Sequence, residues 1–165
     1  LDAEIDDPLF GKATSSSVTL QVDDLPMDAG DMVVINLWSI APEFEGERLL
    51  EALLESGLRW GAQRIFHLHD GAGNLLFSVA SLGHNGRFDL EDTLTFETPG
   101  ICCYFHLSRV VEPANALKAL IRATNSWGKQ LGAELKDERR NGVTPQTLDY
   151  YQQRVSEHAL KALKK

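Results

Sequence analysis

Apolar residues between Met32 and Ser108 alternate with polar ones over short runs, the period-two mark of strands with one buried face. Met32 to Trp38, Gln63 to His69, Leu75 to Leu82 and Ile101 to Ser108 read as strands, with shorter ones near Leu94–Phe96 and at Leu135–Arg139. Asp70-Gly71-Ala72-Gly73-Asn74 is turn chemistry and closes a hairpin between the second and third strands. Asn85-Gly86 and Asn141-Gly142 mark further turns. Elsewhere the period is helical. Gly46 to Gly57 carries Leu49, Leu50, Leu53 and Leu54, with Gly57 placed as a C-terminal cap. Pro113 opens a second helix, with the stripe Leu117, Leu120, Ile121, Thr124, Trp127 and Leu131, and Gly132 ends it. A third helix has Thr144 as N-cap, Pro145 at its first position, and Leu148, Tyr151, Val155, Ala159 and Ala162 on one side.

The order β-α-β-β-(β)-β-α-β-α predicts an α+β fold with a mainly antiparallel sheet of about six strands and three helices on one face. Residues 1–30 lack a core-forming pattern and read as linker or poorly ordered segment, although Val18, Leu20 and Val22 alternate as a short edge strand would. The folded domain is expected over 31–165.

Sorting strand positions by parity separates two unlike faces. Val33, Ile35, Leu37, Phe66, Leu68, Leu75, Phe77, Val79, Ile101, Cys103, Phe105 and Leu107 form a nearly pure apolar set, the core face. The other set holds Met32, Val34, Asn36, Trp38, Gln63, Ile65, His67, His69, Leu76, Ser78, Ala80, Leu82, Cys102, Tyr104, His106 and Ser108. It has almost no charge and several large apolar groups, unlike a face made only for water. Helices about 10 Å wide over strands about 4.8 Å apart leave enough helix for one face, not two. An open, partly apolar face marks a binding site. A homodimer contact and coverage by a helix or tail remain as alternatives.

Charge narrows the partner. The 165 residues carry a formal net charge of −8 and a pI near 5.1, with no basic run longer than Arg139-Arg140. That excludes the basic footprint of a nucleic-acid binder and disfavours anionic lipid, and it suits a partner with basic residues. No apolar run approaches the roughly 20 residues of a membrane span. The first residue is Leu1 rather than Met, so the chain reads as a fragment of a longer parent. Cys102 and Cys103 are adjacent, point to opposite faces on a strand, and read as reduced thiols.

Candidate chemistry is sparse. His67 and His69 share a face and His106 could lie nearby, but no Cys or acid has metal-site spacing, so hydrogen-bonded histidines are expected. Neither cysteine sits in a nucleophile signature. Asp70-Gly-Ala-Gly lacks the lysine of a phosphate loop and opens no helix. Glu91 and Asp92 read as solvated acids. Trp127 fits a helix stripe, Trp60 the sheet edge, and Trp38 the half-open face. No catalytic residue, metal or cofactor is expected.

A series of motifs carries a resemblance: Gly46-Glu47-Arg48-Leu49-Leu50, Gly57-Leu58-Arg59-Trp60-Gly61, His67-Leu68-His69, Phe77-Ser78-Val79-Ala80-Ser81, Phe88-Asp89, Phe96-Glu97-Thr98-Pro99-Gly100, Asp137-Glu138-Arg139-Arg140, and Thr144-Pro145-Gln146 with Tyr151. In this order and spacing, over roughly 31–157, the chain resembles the C-terminal domain of the ZipA family of bacterial division proteins. The resemblance implies a split β-α-β fold whose open sheet face binds the C-terminal tail of FtsZ in a shallow apolar groove. It implies a non-enzymatic adaptor on the cytoplasmic side of the inner membrane at the division site, with an N-terminal anchor in the parent. Carried over position by position, the groove is Met32, Gln63, Ile65, Ala80, Leu82, His84, Cys102 and Tyr104, with Ala62 and Arg139 at its rim. Gln63 stands where an apolar residue is expected, His84 where a basic one is, and Ala62 where an acid is. The alternative is a small α+β ligand-binding or enzymatic domain using the His- and Cys-containing face.

Overall fold

The computed structural model describes residues 31–92 and 95–163. The expected linker, the possible strand at Val18–Val22 and Leu94 lie outside them. Eight strands and three α-helices follow in the order β1 (Met32–Ser39), β2 (Phe44–Glu45), α1 (Gly46–Glu55), β3 (Arg59–Trp60), β4 (Phe66–His69), β5 (Leu75–Ser81), β6 (Glu97–Thr98), β7 (Gly100–His106), α2 (Pro113–Leu131), β8 (Ala133–Lys136) and α3 (Pro145–Leu163). Six strands form one sheet in the order β3-β4-β5-β7-β1-β8, and β2 pairs with β6 apart from it. Every pair in the sheet is antiparallel, and β3–β4 and β4–β5 are joined by the short connections that antiparallel pairing permits.

One core lies between this sheet and the helices. Val33, Ile35 and Leu37 of β1, Phe77 and Val79 of β5, and Ile101, Cys103 and Phe105 of β7 meet Leu49, Ala52 and Leu53 of α1, Leu117, Leu120 and Trp127 of α2, and Tyr151 and Val155 of α3. Each fully buried large side chain here contributes roughly 1.5–3 kcal/mol. The polar groups that enter this core are satisfied. Trp127 Nε1 donates to Ser56 Oγ at 2.9 Å, tying α2 to the end of α1. Thr124 Oγ1 donates to Leu120 O at 2.8 Å. Gly132 ends α2 in a left-handed conformation at φ 72°, which a side chain would resist. Thr144 caps α3, its Oγ1 accepting from Thr147 N at 3.3 Å.

α3 also lies along the half of β1 that β8 leaves unpaired. β8 reaches only Asn36–Ser39. The carbonyls beyond it are taken by side chains: Tyr151 Oη donates to Val34 O at 2.7 Å, and Arg154 donates to Met32 O at 2.7 Å.

Several expectations need correction. Gln63 does not lie on a strand; it occupies a 3-10 turn, Ala62–Arg64, in a left-handed conformation at φ 64°. Leu75 is not the core residue at the start of β5. The register slips between Leu68 and His69, so that His69 faces Leu75, and Leu76 packs on the core instead; an extra residue in one strand swaps the faces beyond it. The short strand expected near Leu94–Phe96 is β6, displaced to Glu97–Thr98 by its pairing with Phe44–Glu45. Ala159 and Ala162 are exposed, as are Leu160 and Leu163, because α3 contributes to the core only as far as Val155.

Candidate functional site

The opposite face of the sheet carries its own apolar cluster. Val34, Ile65, Ala80, Cys102 and Tyr104 are buried there, with Met32 and Leu82 half-buried against them. None of the described helices contributes a residue, so strands and their flanking loops alone build this surface.

Pairing sets its shape. Ser78, Tyr104 and Val34 form one cross-strand row. Ala80, Cys102, Asn36 and Lys136 form the next, and continuing the β4–β5 register places Ile65 opposite Ala80. In the third row Trp38 faces Gly100, and Leu82 N donates to Gly100 O at 2.9 Å. Small residues thus pave the middle while Ile65, Leu82, Trp38, Tyr104, Val34 and Met32 stand around them. Gly100 is required for the closure. A Cβ there would lie 2.6 Å from Leu37 O, 2.8 Å from Leu82 Cδ1 and 3.3 Å from Trp38 Cε3. The result is a shallow depression with an apolar wall.

Two loops form the end at which β4 begins and β5 finishes. Gln63 and Arg64 both hold positive φ, 64° and 62°, and His84 and Asn85 follow suit at 53° and 56°. Consecutive left-handed non-glycine residues cost energy and persist only where the surroundings impose them. Here Phe88 N donates to Arg64 O at 3.0 Å and joins the loops. His67 holds the first loop to the sheet. Its Nε2 lies 3.0 Å from Ala62 O and its Nδ1 2.8 Å from Ser78 Oγ. A carbonyl can only accept, so Nε2 carries the proton and Nδ1 accepts from the serine. Burial holds the His67 pKa below its ordinary value, and the nearby His69 adds to this against the raising effect of the Ala62 carbonyl. Both ring nitrogens are therefore engaged, and burial favours the neutral form of the ring. His84, exposed, donates through Nε2 to Glu97 O and stacks on Phe96, with ring centroids 4.6 Å apart.

Cys102 and Cys103 are free and buried on opposite faces, as alternation requires. Burial pushes both thiols well above the ordinary range, and the Glu138 charge adds to it for Cys102. Neither is a nucleophile at neutral pH. Among the described residues no group of three or more His, Cys, Asp or Glu side chains could hold a metal ion.

The structure therefore gathers Met32, Ile65, Ala80, Leu82, Cys102 and Tyr104 from the expected groove and adds Val34. Ala62, Gln63 and His84 lie in the two end loops and are exposed. At the far side, Arg139 is exposed, and its neighbour Arg140 covers the sheet instead, its guanidinium carbon 4.7 Å from the centre of the Trp38 ring. Asp137 decides between them. Its Oδ1 accepts from Arg139 N at 2.8 Å and Asn141 N at 2.9 Å, and this tight turn leaves Arg140 left-handed at φ 67°. Asn141-Gly142 announces the turn, but no spacing in the sequence reveals which arginine folds back.

The fold is thus a six-stranded antiparallel sheet backed by helices on one side, with a separate apolar cluster that includes the buried Cys102 on the other. The chain belongs to the ZipA family: its residues 31–154 match the family described as the ZipA C-terminal FtsZ-binding domain. It is 36% identical over 155 residues to the cell division protein ZipA of Stutzerimonas stutzeri, covering 92% of this chain and 56% of that protein. Against ZipA of Pseudomonas fluorescens strain Pf0-1 it is 36% identical over 162 residues, covering 96% and 56%. ZipA of Pseudomonas aeruginosa strain LESB58 is 36% identical over 144 residues, covering 84% and 49%. The chain thus spans about half the length of these relatives. No helix among the described residues is long and apolar enough to cross a membrane.

Proposed function

We propose that the open sheet face binds the C-terminal tail of FtsZ, and that the parent protein thereby tethers the division ring to the inner membrane. The observation that carries this reading is the apolar cluster around Ala80 and Cys102, to which no described helix contributes. The family's FtsZ-binding description supplies the partner. An amphipathic peptide segment suits such a surface, with apolar anchors set over the small central residues and its polar side outward. The net charge of −8 favours basic residues in that segment and disfavours nucleic acid as a partner. The groove residues are Met32, Ile65, Ala80, Leu82, Cys102 and Tyr104, with Ala62, Gln63, His84 and Arg139 at the rim.

Affinity should be moderate. Each ~100 Å² of apolar surface buried contributes roughly 2.5 kcal/mol, from which ordering of the peptide is subtracted. Leu82 is half-buried at the wall of the depression, so a charge there disrupts binding more than folding. Titration of the domain into a fluorescent FtsZ tail peptide, read by anisotropy, tests this. Leu82→Glu should weaken binding about 30-fold or more, the loss of an interface hot spot, with the melting temperature nearly kept. Equal affinity in Leu82→Glu and the parent sequence would remove the groove from consideration.

A further inference from the structure

Among the described residues three buried side-chain polar atoms lack a hydrogen-bond partner, Asn36 Oδ1, Trp38 Nε1 and His106 Nδ1; the last lies 3.6 Å from the Asp31 carboxylate, which leaves Asn36 Oδ1 and Trp38 Nε1 as the pair on the groove face with no polar partner. Their residues lie two positions apart on β1, hence on one side of the strand, with Cα atoms roughly 7 Å apart along it. Asn36 is only 8% exposed and continues the row of Ala80 and Cys102 toward Lys136. Its orientation follows from Nδ2, which lies 3.4 Å from Asp137 O and can only donate to it. The amide oxygen is therefore turned away from the β8 loop. Leaving a buried acceptor and a buried donor unsatisfied is costly. A leucine at position 36 would serve the fold better.

Resting on the peptide-binding reading above, we propose that this corner is a polar subsite that takes one amide group of the bound peptide. The indole N–H of Trp38 donates to the amide oxygen, and Asn36 Oδ1 accepts the amide N–H. One donor and one acceptor on the same strand face complement an amide; a carboxylate would leave Asn36 unsatisfied and an ammonium group would leave Trp38 so. Arg140, exposed and stacked on the Trp38 ring, closes the corner and moves aside when the peptide enters. The subsite fixes the direction and register of a peptide that the apolar depression alone would hold loosely.

The test is a nitrogen-15 NMR titration of the domain with the FtsZ tail peptide, alongside anisotropy on Asn36→Leu, Trp38→Phe and Leu82→Glu. The Trp38 indole signal, assigned by its loss in Trp38→Phe, should move downfield and saturate with the groove signals. The Trp127 indole, already bonded to Ser56, should stay. Asn36→Leu and Trp38→Phe should each weaken binding roughly ten-fold, as loss of a partner for a buried polar group does. Asn36→Leu should also melt above the temperature of the parent sequence, a rise that a purely structural asparagine would not give. Peptides with single N-methylated backbone amides, or with Asn and Gln replaced by Ala, identify the source of the amide by losing affinity for the parent sequence but not for Asn36→Leu. If Leu82→Glu abolishes binding while Asn36→Leu and Trp38→Phe bind normally and the indole is static, the subsite is wrong and the groove stands. If the parent sequence does not bind the peptide at all, both readings fall.

Discussion

Replacing Gly100 by alanine tests whether the depression is built as described. The added methyl would lie 2.6 Å from the carbonyl oxygen of Leu37, 2.8 Å from Leu82 Cδ1 and 3.3 Å from Trp38 Cε3. Carbon and oxygen rest about 3.3–3.6 Å apart even in close strand contacts, so the Leu37 contact is short by roughly 0.7 Å or more. Leu82 can change rotamer. The Leu37 carbonyl cannot, because it belongs to β1 where Trp38 faces Gly100 and Leu37 faces Ile101. The strands must separate locally, and overpacking of this kind costs about 1–3 kcal/mol. Alanine recovers roughly 0.4–1 kcal/mol by restricting the unfolded chain. The net loss is about 1–2 kcal/mol, or roughly 3–8 °C in melting temperature for a domain of this size. Calorimetry on Gly100→Ala reads it directly, and Gly100→Ser should fall at least as far. A melting temperature at or above that of the parent sequence would show that β7 and β1 do not approach as closely as described, and the tight end of the depression would go with them.

Other consequences are equally open to measurement. Because burial lowers the His67 pKa, the unfolded chain takes up a proton before the fold does as pH falls below the ordinary value of 6.5. Stability should therefore fall with acidification through that range; His67→Gln should reduce the slope of melting temperature against pH, and an unchanged slope would count against the ring being held neutral. Tyr151→Phe removes the bond to Val34 O and should cost about 1–2 kcal/mol by urea denaturation, whereas a cost near zero would mean that water replaces the hydroxyl freely. Gln63→Gly relieves a left-handed conformation and should stabilise by roughly 0.5 kcal/mol after its entropic cost, so destabilisation would reveal a contact made by the glutamine side chain.

The parts of the fold legible in the sequence are those where a single period runs unbroken. Val33, Ile35 and Leu37, or Ile101, Cys103 and Phe105, declare their face because β pairing leaves no other way to bury them. Pro113 and Gly132 bracket α2 through the opposite demands of helix ends. The apolar cluster of the opposite face is legible to the same extent: Ile65, Ala80, Leu82, Cys102 and Tyr104 emerge from strand parity and family resemblance together. What escaped has no local signature. The slip at Leu76 involves neither glycine nor proline, and Gln63 and Arg64 adopt left-handed backbone that their residue types do not announce. The two-residue ladder of β2 and β6 is too short to show a period. The seat of Arg140 on Trp38 depends on hydrogen bonds made by Asp137 after folding.

The side chains of α3 that occupy the carbonyls of Met32 and Val34 matter beyond this one molecule. A sheet face with its own apolar cluster, apart from the core under the helices, is a surface through which copies of the domain can associate. Self-association becomes irreversible when a free strand lends its main chain to a neighbouring copy. On this side Tyr151 and Arg154 have already used the acceptors, and β8 brings the charges of Glu134 and Lys136 to the rest of the margin. At the other margin β3 is only two residues long. Main-chain pairing between copies is thereby disfavoured at both margins, and what is left for two copies to share is side-chain contact, which is easily undone.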